Sequence, residues 1–295
     1  TMQSFEVFMA ARFRDFPVLL AATRQCASLW EPVRIVVAVP AEDRSAVQAG
    51  LGSAIHVIDE NVLLKGLDRE SFRRRPIPLF PRSFGWYLQQ FLKIEYCRQS
   101  EAQHCLVWDA DTVPLLPFEF LDADGRMFLT SAKEFHTPYF YTIRELFGPS
   151  APSRTSFISQ HMFVECSSMR SMCRLIEERH TVGHWTDALG RILEKHPDRA
   201  NLFSEYETYA NYMLLFEPDK VVTRELCWSR CESRKTWAVP RRQLAKARSE
   251  GLSFAAYESK DIVWSRVMLK ALEKAPEALK RIALTFALRR SGGVF

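Results

Sequence analysis

Several things are missing from this 295-residue sequence, and each absence narrows what it does. No window approaches ~18 consecutive uncharged apolar residues, so no bilayer-spanning helix is expected. The start, Thr1-Met2-Gln3-Ser4, has no basic region followed by an apolar stretch and does not read as a secretory signal. There is no G-x-x-x-x-G-K-[ST] loop and no G-x-G-x-x-G fingerprint, which removes the two commonest glycine-rich phosphate cradles. Internal repeats and low-complexity linkers are absent too. The seven cysteines (Cys26, Cys97, Cys105, Cys166, Cys173, Cys227, Cys231) are odd in number and lack paired spacing. That pattern points to reduced thiols and a cytoplasmic location, not to a disulfide framework. Cys227-x3-Cys231 is followed by no second Cys/His pair and is not read as a zinc site.

What remains is an ordinary globular composition, 47% hydrophobic and 25% charged, which argues against disorder and fibrous architecture. The length allows a large core. Charge is distributed unevenly. Leu226 to Phe295 holds 15 Lys+Arg against 6 Asp+Glu, a net of +9, so the rest of the chain carries −4 of the total +5. A basic C-terminal segment beside a near-neutral body suggests an anionic partner.

The first forty residues read as a β-α-β unit. Ser4–Ala10 is an apolar strand, Phe16 to Leu29 has helical spacing, and Val33–Val39 is a β-branched run closed by Pro40. Ile55–Ile58 reads as a third strand. Near-continuous apolar strands between helices predict a parallel sheet covered on both faces, hence an α/β fold. Residues 65–83, with Arg73-Arg74-Arg75 and three prolines, read as a long basic loop. A helix is expected from Gly85 to Tyr96, then a buried strand, His104–Trp108. Further strands are expected at 128–131 and 157–164, and helices at 168–179, 184–195 and 205–216.

The strongest local signal is Leu106-Val107-Trp108-Asp109-Ala110-Asp111-Thr112-Val113-Pro114. An apolar strand ending in D-x-D puts two carboxylates at the carboxyl edge of a sheet, where open α/β folds bind ligands. Two hard oxygen ligands suit Mn2+ or Mg2+, which complete their shells with water and phosphate oxygens. Asp109 and Asp111 are thus candidates for holding a metal and the diphosphate of a nucleotide donor.

The stretches Gly85–Lys93, Val107–Thr112, Ser159-Gln160-His161-Met162 and Phe203–Tyr212 lie in order along the chain. Together they resemble a bacterial family of glycosyltransferase-like proteins catalogued mainly as a domain of unknown function. The resemblance runs from about residue 5 to 230. It implies a GT-A fold, a Rossmann-like, mostly parallel mixed sheet flanked by helices, with the nucleotide near the N-terminal strands. It sets a catalytic domain at 1–235 and leaves 236–295 as a basic helical C-terminal extension.

Within that frame, Arg12, with Phe13 beside it, is expected near the nucleotide. Gln89 and Lys93 lie one helical turn apart, and the resemblance sets their helix beside the D-x-D as further donor contacts. His161, in an apolar strand, is a candidate catalytic or sugar-contacting residue. His136, Tyr139 and Tyr206 are candidates for the acceptor side. Ser204-Glu205-Tyr206-Glu207 opens a helix as a capping box, which supplies Glu207 with a structural role. Glu205 is therefore preferred over Glu207 as the base for an acceptor hydroxyl.

The tail 261–290 alternates apolar residues with Arg and Lys, and Pro276 is expected to divide it into two helices. Basic amphipathic helices bind anionic membrane surfaces or pack on the body of the protein, and both readings stand. A cytoplasmic enzyme, peripheral on the inner face of the membrane if the tail docks there, is expected. It would move a sugar, with UDP-sugar favoured as donor, to a hydroxyl of a bacterial surface polysaccharide or lipid-linked glycan precursor. The rivals are another metal-dependent phosphoryl or nucleotidyl transfer enzyme and a non-catalytic nucleotide- or glycan-binding protein. Nucleic acid is not an expected partner, since no binding motif accompanies the basic charge.

Overall fold

The computed structural model describes residues 4–65, 67, 69–76, 80–149, 153–196, 201–230, 241–257, 271–272 and 274–290. Cys231 and residues 261–270 of the basic tail lie outside the described residues. The fold is mixed α/β, with a central, mostly parallel sheet flanked by helices. In chain order the elements are β1 (Phe5–Ala10), α1 (Phe16–Trp30), β2 (Arg34–Val39), α2 (Ala41–Leu51), β3 (His56–Asp59), α3 (Arg69–Arg73), α4 (Phe80–Gln99), β4 (His104–Trp108), β5 (Thr112–Pro114), β6 (Met127–Thr130), α5 (Thr137–Phe147), β7 (His161–Glu165), α6 (Cys166–His180), α7 (Trp185–Glu194), α8 (Glu205–Phe216), β8 (Val221–Arg224), β9 (Trp228–Arg230), α9 (Arg241–Ser249), β10 (Phe254–Ala256) and a last helix, Glu277–Arg290. They divide into two compact units: Thr1–Asn61 with Trp108–Glu119 and Leu226–Phe295, and Val62–Val107 with Phe120–Glu225.

In the first unit, β1 pairs parallel to β2, and β2 parallel to β3. Every residue of β1 is buried, as expected of a strand covered on both faces. A small second sheet is added by the far end of the chain. There β10 runs antiparallel to β5, with Ala255 opposite Val113, and parallel to β9. Val18, Ala21, Val113, Leu115, Leu244, Ala247, Ala255 and Tyr257 form the core beneath it. The last helix packs on α2. Its Lys280 ammonium is buried in an ion pair with Asp43, and Leu284 is buried beside it. The helix begins just after Pro276, where the break in the tail is expected.

In the second unit, β4 neighbours β7, and β6 pairs parallel to β8. Its hub is Glu95 on α4, 1% exposed, which accepts hydrogen bonds from Trp185 Nε1 (2.7 Å), Arg98 and Gln99. Burial alone raises its pKa, but bonds from His184, Arg98 and Trp185 outweigh burial and bring it to about 2.

Two sequence expectations need correction. The stretch 65–83 is not all loop: α3 occupies 69–73, and α4 begins at Phe80, five residues before Gly85. The cause is tertiary. Phe72 packs on Phe84 and Phe91, and Arg75 pairs with Asp187 and Glu194 of α7. The strand expected at 157–164 is only His161–Glu165, so His161 begins the strand instead of lying within it. Before it the backbone turns, with Gln160 at φ 65°, and the Ser156 hydroxyl and Phe157 amide bond to Glu207 instead of to a strand.

Candidate functional site

The Asp109-Ala110-Asp111 turn belongs to the first unit. It follows the buried Trp108 at the end of β4, and the Thr112 amide closes it by donating to the Asp109 carbonyl (3.0 Å). Two further bonds hold it. Trp108 Nε1 donates to the Thr112 carbonyl (2.7 Å), and the Tyr257 amide donates to the Asp111 carbonyl (2.7 Å). Trp108 is itself packed among Trp30, Phe118 and Phe254. Ala110 is buried while both aspartates are half-buried, so the two acids flank an anchored residue on a braced backbone. The Thr112 hydroxyl lies 3.4 Å from Asp111 Oδ1.

Among the described residues no group of three or more His, Cys, Asp or Glu is placed to hold a metal ion. Two carboxylates on one turn nonetheless fit a hard divalent cation of the kind that takes one or two protein oxygens and fills its shell with water and phosphate. In the same unit Arg12 is half-buried and precedes the short 3-10 turn Phe13–Asp15. Phe13 is wholly enclosed beneath Lys280 and forms part of the core.

The second unit gathers most of the other sequence candidates around the start of α8. Lys93 Nζ lies 2.5 Å from Glu205 Oε1 and donates to the Tyr206 hydroxyl (3.1 Å), with its charge over the Tyr206 ring. All three are buried, whereas Gln89, one turn earlier on α4, is exposed. Gln90, which sequence reading passed over, is buried and accepts the Glu205 amide at 3.1 Å. Its place three residues before Lys93 on one helix was the available signal.

Ser204 caps α8, its hydroxyl accepting from the Glu207 amide. Glu207 does not complete the capping box. Its Oε1 instead takes the Ser156 hydroxyl (2.5 Å) and the Phe157 amide (3.0 Å). Its Oε2 is buried without a hydrogen-bond partner, and burial pushes the carboxyl up to about 7 against the lowering effect of those two bonds.

His161 is buried, and its Nδ1 lies 2.9 Å from the Ser159 carbonyl, which fixes the proton there. Nε2 then accepts from the Thr130 hydroxyl (3.3 Å), which in turn accepts from Arg224 Nε (3.2 Å). Burial, with the nearby Arg224 charge, holds the imidazole down to about 3, so it stays neutral in neutral solution. His136 reaches the Asn201 carbonyl through Nε2 (2.9 Å) and sits edge-on to Tyr139. Burial raises the Tyr139 hydroxyl, and the charges of Glu205 and Glu134 raise it further.

Comparison with protein families matches residues 14–235 to the "Family of unknown function (DUF6492)". Comparison with curated protein sequences gives no match. Among solved structures, the apo form of mouse xyloside xylosyltransferase 1 aligns with a TM-score of 0.51 and 11% identity, covering 88% of this chain and 99% of that one. The galactosyltransferase LgtC in complex with donor and acceptor sugar analogues aligns at 0.48 and 13% identity, covering 91% and 95%. At such identity the first likeness shows the fold alone, that of the GT-A glycosyltransferases.

Proposed function

Because the chain belongs to this family of unknown function and has a GT-A fold, we propose that it is a metal-dependent glycosyltransferase using a nucleotide-sugar donor, with UDP-sugar favoured. The observation that carries this reading is the Asp109–Asp111 turn, two half-buried carboxylates on a backbone braced by Trp108 and Tyr257. Preorganised ligands of this kind cost little reorganisation when charge develops. The solved structure that supports it is a xylosyltransferase by name.

Asp109 and Asp111 would hold Mn2+ or Mg2+, and that ion would supply Lewis-acid neutralisation of the departing nucleotide diphosphate. Arg12 is proposed as a donor contact. Glu205 is the proposed base for the acceptor hydroxyl. Lys93 keeps that carboxylate charged and oriented, since a buried anion without a partner would take up a proton. Glu207 holds the segment Ser156–Phe157 beneath it, and the neutral His161 orders the Thr130–Arg224 corner.

The acceptor is proposed to be a hydroxyl of a surface polysaccharide or lipid-linked glycan precursor. No helix among the described residues is long and apolar enough to cross a membrane. Peripheral attachment to an anionic surface through the tail is proposed on the exposed Leu279, Arg281 and Ile282 of the last helix, whereas Lys280 between them is spent in its buried pair with Asp43.

The test is a thermal-shift screen of UDP-, GDP- and CMP-sugars with Mn2+ and with EDTA. A ligand bound to the native state raises Tm by mass action. A metal-dependent rise with one nucleotide sugar is expected, and no rise with any of them would overturn the reading.

A further inference from the structure

The segment 241–257 follows the region shared with the family, residues 14–235, yet it is built into the first unit beside the D-x-D turn. α9 places Leu244 and Ala247 in the core beneath the small sheet. Its Arg248 guanidinium donates to Gln25 of α1, and the chain then turns at Gly251, φ 75°, toward β10.

β10 is tied to β5 and to the turn before it at both of its ends. At one end the Ser253 carbonyl accepts the amides of Leu115 (2.8 Å) and Leu116 (3.2 Å), and the Ser253 amide donates to the Cys227 carbonyl (2.7 Å). At the other end the Tyr257 amide donates to the Asp111 carbonyl (2.7 Å). Between them Phe254 lies opposite Pro114 and Ala256 opposite Thr112. Side chains fix the same register. Ala255 and Tyr257 join the core with Val113 and Leu115, while Phe254 packs edge-on to Trp108 (centroids 5.7 Å) and stacks on Trp228 (5.2 Å). A slip of one residue would exchange these two faces.

The peptide group joining Asp111 to Thr112 is gripped on both sides. Its N–H donates to the Asp109 carbonyl within the turn, and its C=O accepts from Tyr257. A planar group held at both edges cannot rotate, and its plane sets the direction of the Asp111 Cα–Cβ bond that carries the carboxylate. The first grip is local and closes a single turn. The second arrives from the far end of the chain. Metal ligands must be held to within about 0.5 Å of their working geometry. The groups that orient them are typically worth about 10–100-fold in metal affinity.

We propose that β10 is a strap for the candidate metal turn, with Tyr257 a positioning residue that aims the Asp111 carboxylate through the main chain. This rests on the metal reading of that turn. The stretch beyond the family region is then part of the site and not an appendage to it. Coupling of this kind is reciprocal: whatever the bond adds to metal affinity, bound metal adds to the bond.

The test uses the full chain with Mn2+ and UDP, bound Mn2+ being read from the loss of the free-ion EPR signal. Tyr257→Pro removes the amide proton, and Ala256 before it already has the extended backbone that a following proline requires. Mn2+ affinity should fall by about 10–100-fold. Leu189→Ala, which opens a cavity in the core of the second unit, should lower Tm and leave Mn2+ affinity as in wild type. Wild-type affinity in Tyr257→Pro would overturn the strap. If that variant does not fold, amide exchange in the wild type decides. Mg2+ with UDP should slow exchange of the Tyr257 amide by about 10–100-fold beyond any slowing along β2. Equal slowing at the two places overturns the proposal. Wild-type protein that takes up no Mn2+ sinks the metal reading itself and the strap with it, whereas wild-type uptake undiminished in Tyr257→Pro sinks the strap alone.

Discussion

Lys93 Nζ and Glu205 Oε1 meet at 2.5 Å with side chains only 5% and 9% exposed, joining helices whose residues lie 112 positions apart in sequence. Two charges withdrawn from water together are tolerable, but one left behind is not. Lys93→Met should therefore lower stability by about 3–5 kcal/mol, read from urea midpoints. Pairing it with Glu205→Leu should recover part of that loss. Glu205→Gln should leave donor affinity nearly intact and lower turnover by on the order of 10²-fold if this carboxylate is the base. Wild-type turnover in that variant would remove it from the chemistry.

Asp111→Ala should abolish the Mn2+-dependent part of nucleotide-sugar binding while leaving the folded state intact, because Asp111 holds the Tyr257 amide through its main-chain carbonyl. Isothermal titration with and without Mn2+ reads this directly. Metal dependence equal to wild type would refute the assignment of the turn.

Two buried carboxylates in the second unit should give opposite pH dependences. The pKa of Glu95 is brought down to about 2, so its contribution is present above the unfolded value of 4.5 and is lost as pH falls toward 2. The stability gap between wild type and Glu95→Gln should be about 3 kcal/mol at pH 7 and shrink through that acid window. Glu207 is pushed up to about 7, so its contribution is complete below 4.5 and is lost as pH rises through 7. Relative to wild type, Glu207→Gln should become more stable by about 3 kcal/mol between pH 4.5 and 8. Parallel stability–pH curves for wild type and variant would contradict either assignment.

Gly50 sits inside α2 with the Phe16 ring so close that an added Cβ would lie 2.4 Å from its Cζ. Alanine would improve helix propensity by about 1 kcal/mol. Overpacking against a fully buried ring costs about 1–3 kcal/mol. Gly50→Ala is expected to lower Tm, and a raised Tm would show that Phe16 can yield.

Much of the framework was legible because it is local. The β1-α1-β2 unit, β4, and the helix starting at Glu205 follow from apolar runs and periodic spacing within windows of a dozen residues. Ser204 signalled its cap by residue type. Where reading failed, a distant partner had overruled local pattern. The prolines and arginines of 65–83 suggested a loop, but Phe72 and Arg75 find partners on α4 and α7 and draw that stretch into helix. Phe157 and Ile158 suggested a strand running on into His161, but Glu207, about fifty positions away, captures the Ser156 hydroxyl and the Phe157 amide.

The sequence by itself determined that two aspartates follow a buried strand, because the near-continuous apolar run of that strand is written in its own residues. It could not determine what steadies them. Tyr257 and β10 come from the far end of the chain, and only the folded sheet brings Ala255 opposite Val113. The same holds for the carboxylates. Composition makes Glu95, Glu205 and Glu207 equivalent, yet one is held ionised by bonds from Trp185, Arg98 and Gln99, one is paired with a lysine, and one keeps a buried oxygen without a partner. The protonation state of a carboxyl depends on its desolvation and on the donors that reach it, and both are properties of packing across the whole unit.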